Sequence, residues 1–221
     1  MTVRAVLYDL DGLLLDSETA GLVSWREVYA AHGCELDLAH WLGEVAAGRG
    51  PVMPKRQLEE QLGRPVDWDE VERGRLARRD GLLVARPGAL QHVAAARALG
   101  LRTALVSNAP AWWVGQQLPR LGVPEPQFDV IVTGEPGLAR KPAPDAYLKA
   151  LRELGVAAEA ALAFEDSPVG ITAAQSAGIR CVAVANEVTA NLDLSAADLI
   201  LPALDARPLR SLLEELLSPA V

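Results

Sequence analysis

Residues Tyr8 to Glu18 read YDLDGLLLDSE. An apolar run, Val3–Leu10 (VRAVLYDL), delivers two aspartates, Asp9 and Asp11, one residue apart, and Gly12 follows at once. Two like charges at the end of a buried strand raise each other's pKa, so the placement needs a reason. The pattern of an apolar run ending in polar residues then recurs. Leu101–Val106 (LRTALV) leads to Ser107 and Asn108, and Phe128–Val132 (FDVIV) leads through a short loop to Lys141 in ARKPAPD. Ala161–Phe164 (ALAF) leads to Glu165, Asp166 and Ser167, and Cys181–Ala185 (CVAVA) is a fifth such run. Between the runs lie amphipathic segments with helix punctuation: Pro144-Asp145 opens DAYLKALRELG, and Ser167-Pro168 opens a helix that ends near Gly178. Proline in a first turn and glycine after a last turn are the expected signals. Strands alternating with helices predict an α/β fold, a Rossmann-like parallel sheet with helices on both faces.

The stretch from Asp16 to Ala85 breaks this rhythm. It has no convincing buried strand, and its periodicity predicts helices over 20–32, 52–62 and 67–83, the last rich in Arg, Glu and Asp. Arg86-Pro87-Gly88 then marks the return to alternation. The expected organisation is a core made of residues 1–15 and 86–221, with an all-helical insertion over 16–85. No internal repeat or low-complexity segment interrupts it. The pair Trp112-Trp113 reads as packing between a helix and the sheet.

Length and composition bound the function. At 221 residues, half of them hydrophobic, the chain can bury one large core. A formal charge of −8 argues against a general binder of nucleic acid or of anionic membranes, since an acidic surface gains nothing from displacing their counterions. No apolar run approaches the ~18 residues needed to cross a bilayer. Cys34 and Cys181 are far apart and form neither a CxxC nor a Cys/His pattern, so neither zinc nor a disulfide framework is expected. These features predict a soluble, cytoplasmic protein, expected to be a monomer, and leave room for a small anionic substrate held in a locally positive pocket.

In an open parallel sheet, ligands bind beyond the carboxyl ends of the strands. Four polar clusters fall at that edge here. Asp9 and Asp11 are two residues apart, so their side chains point the same way at a strand end. Two close carboxylates, with Asp166 and Glu165 as further oxygen donors, suit Mg²⁺, which keeps several waters and shares a phosphate oxygen. Lys141 supplies a positive charge and Ser107 a hydroxyl, which together could hold the remaining oxygens of a phosphoryl group. One aspartate can then attack phosphorus while the other protonates the leaving alkoxide and later deprotonates water. Each piece alone has a plainer reading. A DxD pair occurs in turns, Ser-Asn caps helices, a lone lysine is usually solvated, and Glu165-Asp166-Ser167 could simply cap the helix that begins at Pro168. It is their succession, each after its own strand, that favours one joint site.

The same residues carry a family resemblance. DLDGLLLDSE, SNAP, RKPAPDAY and FEDSPVGITAAQSAG resemble, in order, the four motifs of the haloacid dehalogenase-like hydrolases. The likeness is to the branch of small-molecule phosphatases and phosphomutases related to β-phosphoglucomutase and phosphoglycolate phosphatase. It covers essentially the whole core and is weaker in the insertion. It implies that Asp9 is the nucleophile and Asp11 the general acid/base. It also implies that Mg²⁺ is held by Asp9, the main-chain carbonyl of Asp11 and Asp166, with Glu165 near or in the shell. Ser107, Asn108 and Lys141 would contact phosphate, and Asp16-Ser17 would form the hinge on which a helical cap closes. The dehalogenases themselves lack the second aspartate, so Asp11 favours phosphate chemistry over attack on carbon.

One departure bears on the reaction. Related sequences often read DSEPLH after the first motif, with a histidine that assists the acid/base in β-phosphoglucomutase. Here the segment reads DSETAG, and Gly21 stands in its place. A mutase must keep its phosphoenzyme from water, so the missing group favours hydrolysis of a sugar phosphate or phosphoglycolate over mutation. A phosphomutase is the alternative reading, and a catalytically idle regulator a more distant one. Substrate choice is expected of the insertion. Trp25 sits where relatives carry an aromatic near the substrate, and Arg49, in a Gly-Arg-Gly-Pro loop, is a candidate anion contact.

Overall fold

The computed structural model describes residues 2–47, 53–122 and 127–217. Its centre is β1 (Ala5–Tyr8), whose four residues are completely buried because it lies mid-sheet with both faces covered. The other strands are β2 (Arg102–Val106), β3 (Val130–Val132), β4 (Ala161–Glu165), β5 (Arg180–Val184) and β6 (Leu199–Leu201). Every pairing is parallel, in the order β3-β2-β1-β4-β5-β6. The sequence pattern gives no hint of β6. It is a three-residue edge strand, with Ile200 about half exposed, and lacks the continuous buried run of a central strand.

Alternation along the strands divides the core into two apolar layers. Val6, Tyr8, Leu105, Phe164 and Val182 face one side. There they meet α5 (Ala89–Ala98), α6 (Ala111–Arg120) and α9 (Leu209–Leu217). Ala5, Leu7, Val106, Ala163 and Cys181 face the other side, against α7 (Asp145–Leu154) and α8 (Pro168–Ser176). Small residues on that second face let α7 and α8 approach the sheet closely. The chain builds β1, β2 and β3 outward, then returns through α7 to place β4 on the other flank of β1. Strand order therefore reverses beside β1, which puts the end of this strand at the crevice where open α/β sheets hold ligands.

Between β1 and α5 the chain forms α1 (Ser17–Ala31), α2 (Leu38–Ala46), α3 (Met53–Leu62) and α4 (Trp68–Leu82). Three of these correspond to the expected helical periodicities. The fourth, α2, opens on a short segment after the Asp37 N-cap and was not anticipated. The helices share their own apolar cluster of Leu22, Trp25, Val28, Tyr29, Trp41 and Leu58, joined by Val188 from the loop after β5. Two connections tie this insert to the core. They run antiparallel, with Asp16 N–H donating to Val84 O (2.9 Å) and Arg86 N–H to Leu14 O (2.9 Å). Asp16 also caps α1, accepting from Thr19 N–H at 3.3 Å.

Candidate active site

The carboxyl ends of β1, β2 and β4 converge on one buried ammonium. Lys141 Nζ donates to Asp9 Oδ1 at 2.5 Å, to Glu165 Oε1 at 2.6 Å and to the Val106 carbonyl at 2.7 Å. All three of its donor positions are thereby engaged. Burial alone would lower its pKa, but the carboxylates of Asp9 and Glu165 outweigh that and hold it above the ordinary lysine value. Lys141 is a fixed positive charge.

Its seat is built from neighbouring elements. Asn108, just past β2, grips the main chain of Lys141 from both ends of its amide: Lys141 N–H donates to Oδ1 at 2.9 Å, and Nδ2 donates to Lys141 O at 3.3 Å. Tyr147 of α7 donates to Glu165 Oε1 at 2.5 Å, and its ring lies 5.1 Å below the ammonium. The second Glu165 oxygen presses against α8 at Gly170, where an added Cβ would come within 1.9 Å of it. Glu165 is thus turned towards Lys141 and the helix, and it does not line the cleft above.

That cleft, of about 360 Å³, lies between the strand ends and the helical insert. Asp9, Asp11, Ser107, Asn108, Lys141 and Asp166 form its floor. Ser107 is buried, and its oxygen accepts the Ala109 N–H at 3.0 Å, which leaves the hydroxyl proton free to donate into the cleft. Ser167 caps α8 through the Gly170 N–H, as the plainer sequence reading had it. Asp166 Oδ2 accepts from Asn186 Nδ2 at 2.8 Å. It also lies so close to Gly12 that a Cβ there would approach within 2.0 Å, at a φ of +81° that disfavours any side chain. Arg86 pins the same turn from the other side, donating to Gly12 O and Ala185 O at 2.7 Å each.

The electrostatics of the floor show an unmet demand for cations. Oxygens of Asp9, Glu165 and Asp166, all buried, lie within 4.8 Å of one another. Burial raises the Asp9 carboxyl above the usual range despite Lys141. It raises Asp166 well above that range, aided by the charges of Asp9 and Glu18, and takes Glu165 to about 7. Asp11 is pushed up to about 6 by burial and by the charge of Asp9. A single ammonium does not offset these carboxylates, and a small divalent ion with an all-oxygen shell fits the remainder. Asp9 and Asp166, which face the cleft, are the donors such an ion would meet.

Other expected residues fall differently. Trp25 is wholly buried inside the insert, with the Arg75 guanidinium 4.4 Å from its ring centroid and Trp68 edge-on at 6.1 Å. It does not line the cleft. Trp41 of α2 does, together with His40, Glu44, Pro54 and Gln57. Trp25 occupies the inner face of α1 because its apolar neighbours Leu22, Val28 and Tyr29 make that face the core stripe. Arg49 lies outside the described residues.

Several site residues escaped the sequence reading. Glu18, at the start of α1, lines the cleft, and burial with the charges of Asp11 and Asp9 lifts it to about 7. Trp113, read only as packing, also donates its indole N–H to Asp11 Oδ1 at 3.0 Å. Asn186 follows β5, so the strand-end rule that found the other clusters would have found it too. Tyr147 carried no such signal, since it sits in the apolar stripe of α7 like any core aromatic.

Comparison with known proteins agrees with this geometry. The family model for haloacid dehalogenase-like hydrolases matches residues 3–178. "Putative phosphatase YhcW" of Bacillus subtilis (strain 168) is 38% identical over 193 residues, 86% of this chain and 87% of that one. "Phosphorylated carbohydrates phosphatase" of Thermotoga maritima is 31% identical over 181 residues, 80% of this chain and 82% of that one. A solved "putative beta-phosphoglucomutase" from Thermotoga maritima superposes with a TM-score of 0.75 at 26% identity, covering 97% of this chain and all of that one. With its motifs at the strand ends that the parallel sheet gathers around Lys141, the chain belongs to the haloacid dehalogenase-like hydrolases.

Proposed function

We propose that the protein is a Mg²⁺-dependent phosphatase that hydrolyses a small sugar phosphate through an aspartyl-phosphate on Asp9. The coarser statement, a phosphoric monoester hydrolase, follows from its family and from relatives at 31% and 38% identity that are named phosphatases. The observation that carries the finer reading is the Asp9–Lys141 contact of 2.5 Å on the floor of a cleft that Asp11 also lines. Lys141 keeps Asp9 oriented and screens its charge, so that an anionic phosphoryl group can approach it. Asp9 then attacks phosphorus, while the Ser107 hydroxyl donates to a phosphoryl oxygen and the charge of the Lys141 ammonium, whose own protons stay on Asp9, Glu165 and Val106, offsets the negative charge of the phosphoryl group. Asn108 serves through the main chain of Lys141, which both ends of its amide hold. Asp11, with its raised pKa, carries the proton the leaving alkoxide needs, and later takes one from the water that cleaves the acyl-phosphate.

Asp9, Asp166 and the main-chain carbonyl of Asp11 would hold Mg²⁺, with Glu165 behind them seating Lys141. When bound, the ion neutralises charge on the phosphoryl oxygens and orients them. The roof of Trp41, His40, Glu44 and Gln57 offers an aromatic platform with hydrogen-bonding groups, which suits a hydroxylated leaving group. Hydrolysis is favoured over mutation by Gly21, which supplies no side chain where related mutases place an assisting histidine.

Asp9→Asn should abolish Mg²⁺-dependent release of nitrophenolate from p-nitrophenyl phosphate while circular dichroism stays unchanged. Retention of most of that activity would sink the assignment. Incubation with a hexose 1-phosphate and a bisphosphate primer separates the two reactions: inorganic phosphate is expected, and an isomeric sugar phosphate would identify a mutase.

A further inference from the structure

The indole of Trp113 reaches from the first turn of α6 to the aspartate read above as the general acid. Its Nε1 lies 3.0 Å from Asp11 Oδ1, and the side chain is largely buried. From the other side, Arg79 of α4 lays its guanidinium 4.6 Å from the centroid of the Trp113 ring. Arg79 is itself held by Asp80 at 2.8 Å, and Asp80 lies 3.9 Å from Arg120 at the far end of α6. A continuous chain of contacts therefore runs from the helical insert through Trp113 to Asp11.

We propose that Trp113 is a positioning residue for the general acid, fixing which oxygen of Asp11 faces the leaving group, and that Arg79 braces it from the insert. The inference rests on the phosphatase reading above. An indole N–H can only donate, so Oδ1 is its acceptor whether Asp11 is protonated or not. The carbonyl oxygen of a neutral carboxyl accepts better than its hydroxyl oxygen, so the transferable proton resides on Oδ2. As the ester P–O bond breaks, that proton moves to the leaving oxygen, and the carboxylate left behind keeps the indole hydrogen bond. The same Oδ2 then takes a proton from the water that attacks the phosphorus of the acyl-phosphate, which restores the acid. Ser17 also lies against this carboxyl, but without the indole donor the carboxyl is freer to rotate and to divide its proton between two directions, only one of which is productive. The brace makes this orientation depend on the seating of α4, so the acid is set when the insert is in place. This gives the insert a route to the acid/base even though Gly21 offers no side chain for the purpose.

The test exploits the different need of leaving groups for a proton. Nitrophenolate leaves without one, whereas phenolate and alkoxides leave poorly unless protonated. Trp113→Phe keeps an aromatic ring for Arg79 to lie on and removes the donor. It should lower kcat for phenyl phosphate about tenfold to a hundredfold more than kcat for p-nitrophenyl phosphate, the range expected for a hydrogen bond to a charged group. Arg79→Gln, at a partly exposed position, should give the same selectivity at about two- to fivefold. In an Asp11→Asn background, Trp113→Phe should add no further selectivity. Thermal unfolding fixes the temperature at which each variant is assayed in the folded state. Equal loss on both esters, or no loss, would show Trp113 to be packing alone and overturn the proposal. A wild type active on aryl phosphates with non-selective variants removes this inference and leaves the phosphatase reading standing. A wild type inert towards every ester removes both.

Discussion

The floor and the roof of the cleft are built by different means. The floor consists of polar side chains at the ends of parallel strands, each fixed by several partners: Lys141 alone has three, and Asp166, Asn186 and Gly12 interlock. The roof comes from the helices of the insert, whose interior is apolar and whose outer ion pairs, such as Arg56–Glu60, are exposed. Burial explains the contrast. A charge taken out of water must be met by specific partners, which leaves little freedom in a floor of carboxylates. A helix face that contacts substrate needs only the right shape and a few polar groups, so its residues can vary while the chemistry below stays the same.

The largest expected effect is on the floor. Lys141→Met fits the space but leaves Asp9 and Glu165 facing each other without a cation. Removing one partner from a buried charge cluster costs about 3–5 kcal/mol of stability. Activity on p-nitrophenyl phosphate should fall by about a thousandfold, as for the loss of a principal electrostatic contact in a transition state. Chemical denaturation and steady-state kinetics measure the two separately. A Lys141→Met protein of normal stability would show that the carboxylates simply neutralise and that the floor is looser than its hydrogen bonds imply.

In the roof, stability and activity should come apart. Trp25 is completely enclosed, and Trp25→Ala should cost about 3–5 kcal/mol, mostly through the cavity left beneath Arg75. The folded fraction should retain kcat on p-nitrophenyl phosphate, because no atom of Trp25 lines the cleft. A drop in kcat with little change in stability would return Trp25 to the substrate site.

Beneath the floor, His92 offers a comparison by pH. It is buried against Phe164, with Nδ1 2.9 Å from the Tyr8 hydroxyl, and burial lowers its pKa from 6.5 to about 4. Between those pH values the unfolded chain binds a proton that the folded chain refuses. The contribution of His92 is therefore fully present above pH 6.5 and is lost as pH falls towards 4, about 3 kcal/mol in all. His92→Phe should flatten that part of the stability–pH curve, measured by urea denaturation at pH 7 and pH 4.5. An unchanged slope would place the acid lability elsewhere.

How much of this could be read from the sequence follows from the same contrast. Asp9, Asp11, Ser107, Lys141 and Asp166 are legible because a buried parallel strand is a continuous apolar run, and a polar residue at its carboxyl end breaks the run conspicuously. The order of the strands and the reversal beside β1 are not local properties and could only be expected from the alternation of elements. Trp113 and Tyr147 were missed because they occupy apolar stripes of α6 and α7, where periodicity cannot show that an indole N–H or a phenol meets a carboxylate. In the insert, Trp25 and Trp41 both fit a helical apolar stripe. Which of them borders the cleft depends on how α1 and α2 pack, and the four-residue spacing of a stripe carries no information about that.

The smallest effect provides the sharpest test of that last distinction. Trp41 lines the cleft, while its indole N–H is itself buried and has no hydrogen-bond partner among the described residues, so the ring face is what it offers a substrate. Trp41→Phe keeps an aromatic ring in the insert's apolar cluster but removes part of the indole's volume, and should lower stability by about 1–2 kcal/mol, as a modest large-to-small core change does. For a sugar phosphate that the wild type hydrolyses, KM should rise about three- to tenfold with kcat nearly unchanged, the pattern for loss of a contact made equally in the ground and transition states. With p-nitrophenyl phosphate, which lacks the face of a sugar ring to pack on the indole, KM should move less. If KM rises equally for both esters, Trp41 shapes the cleft without reading the leaving group. If kcat falls instead, the roof takes part in the chemical step, and the division between a chemical floor and a selective roof would have to be redrawn.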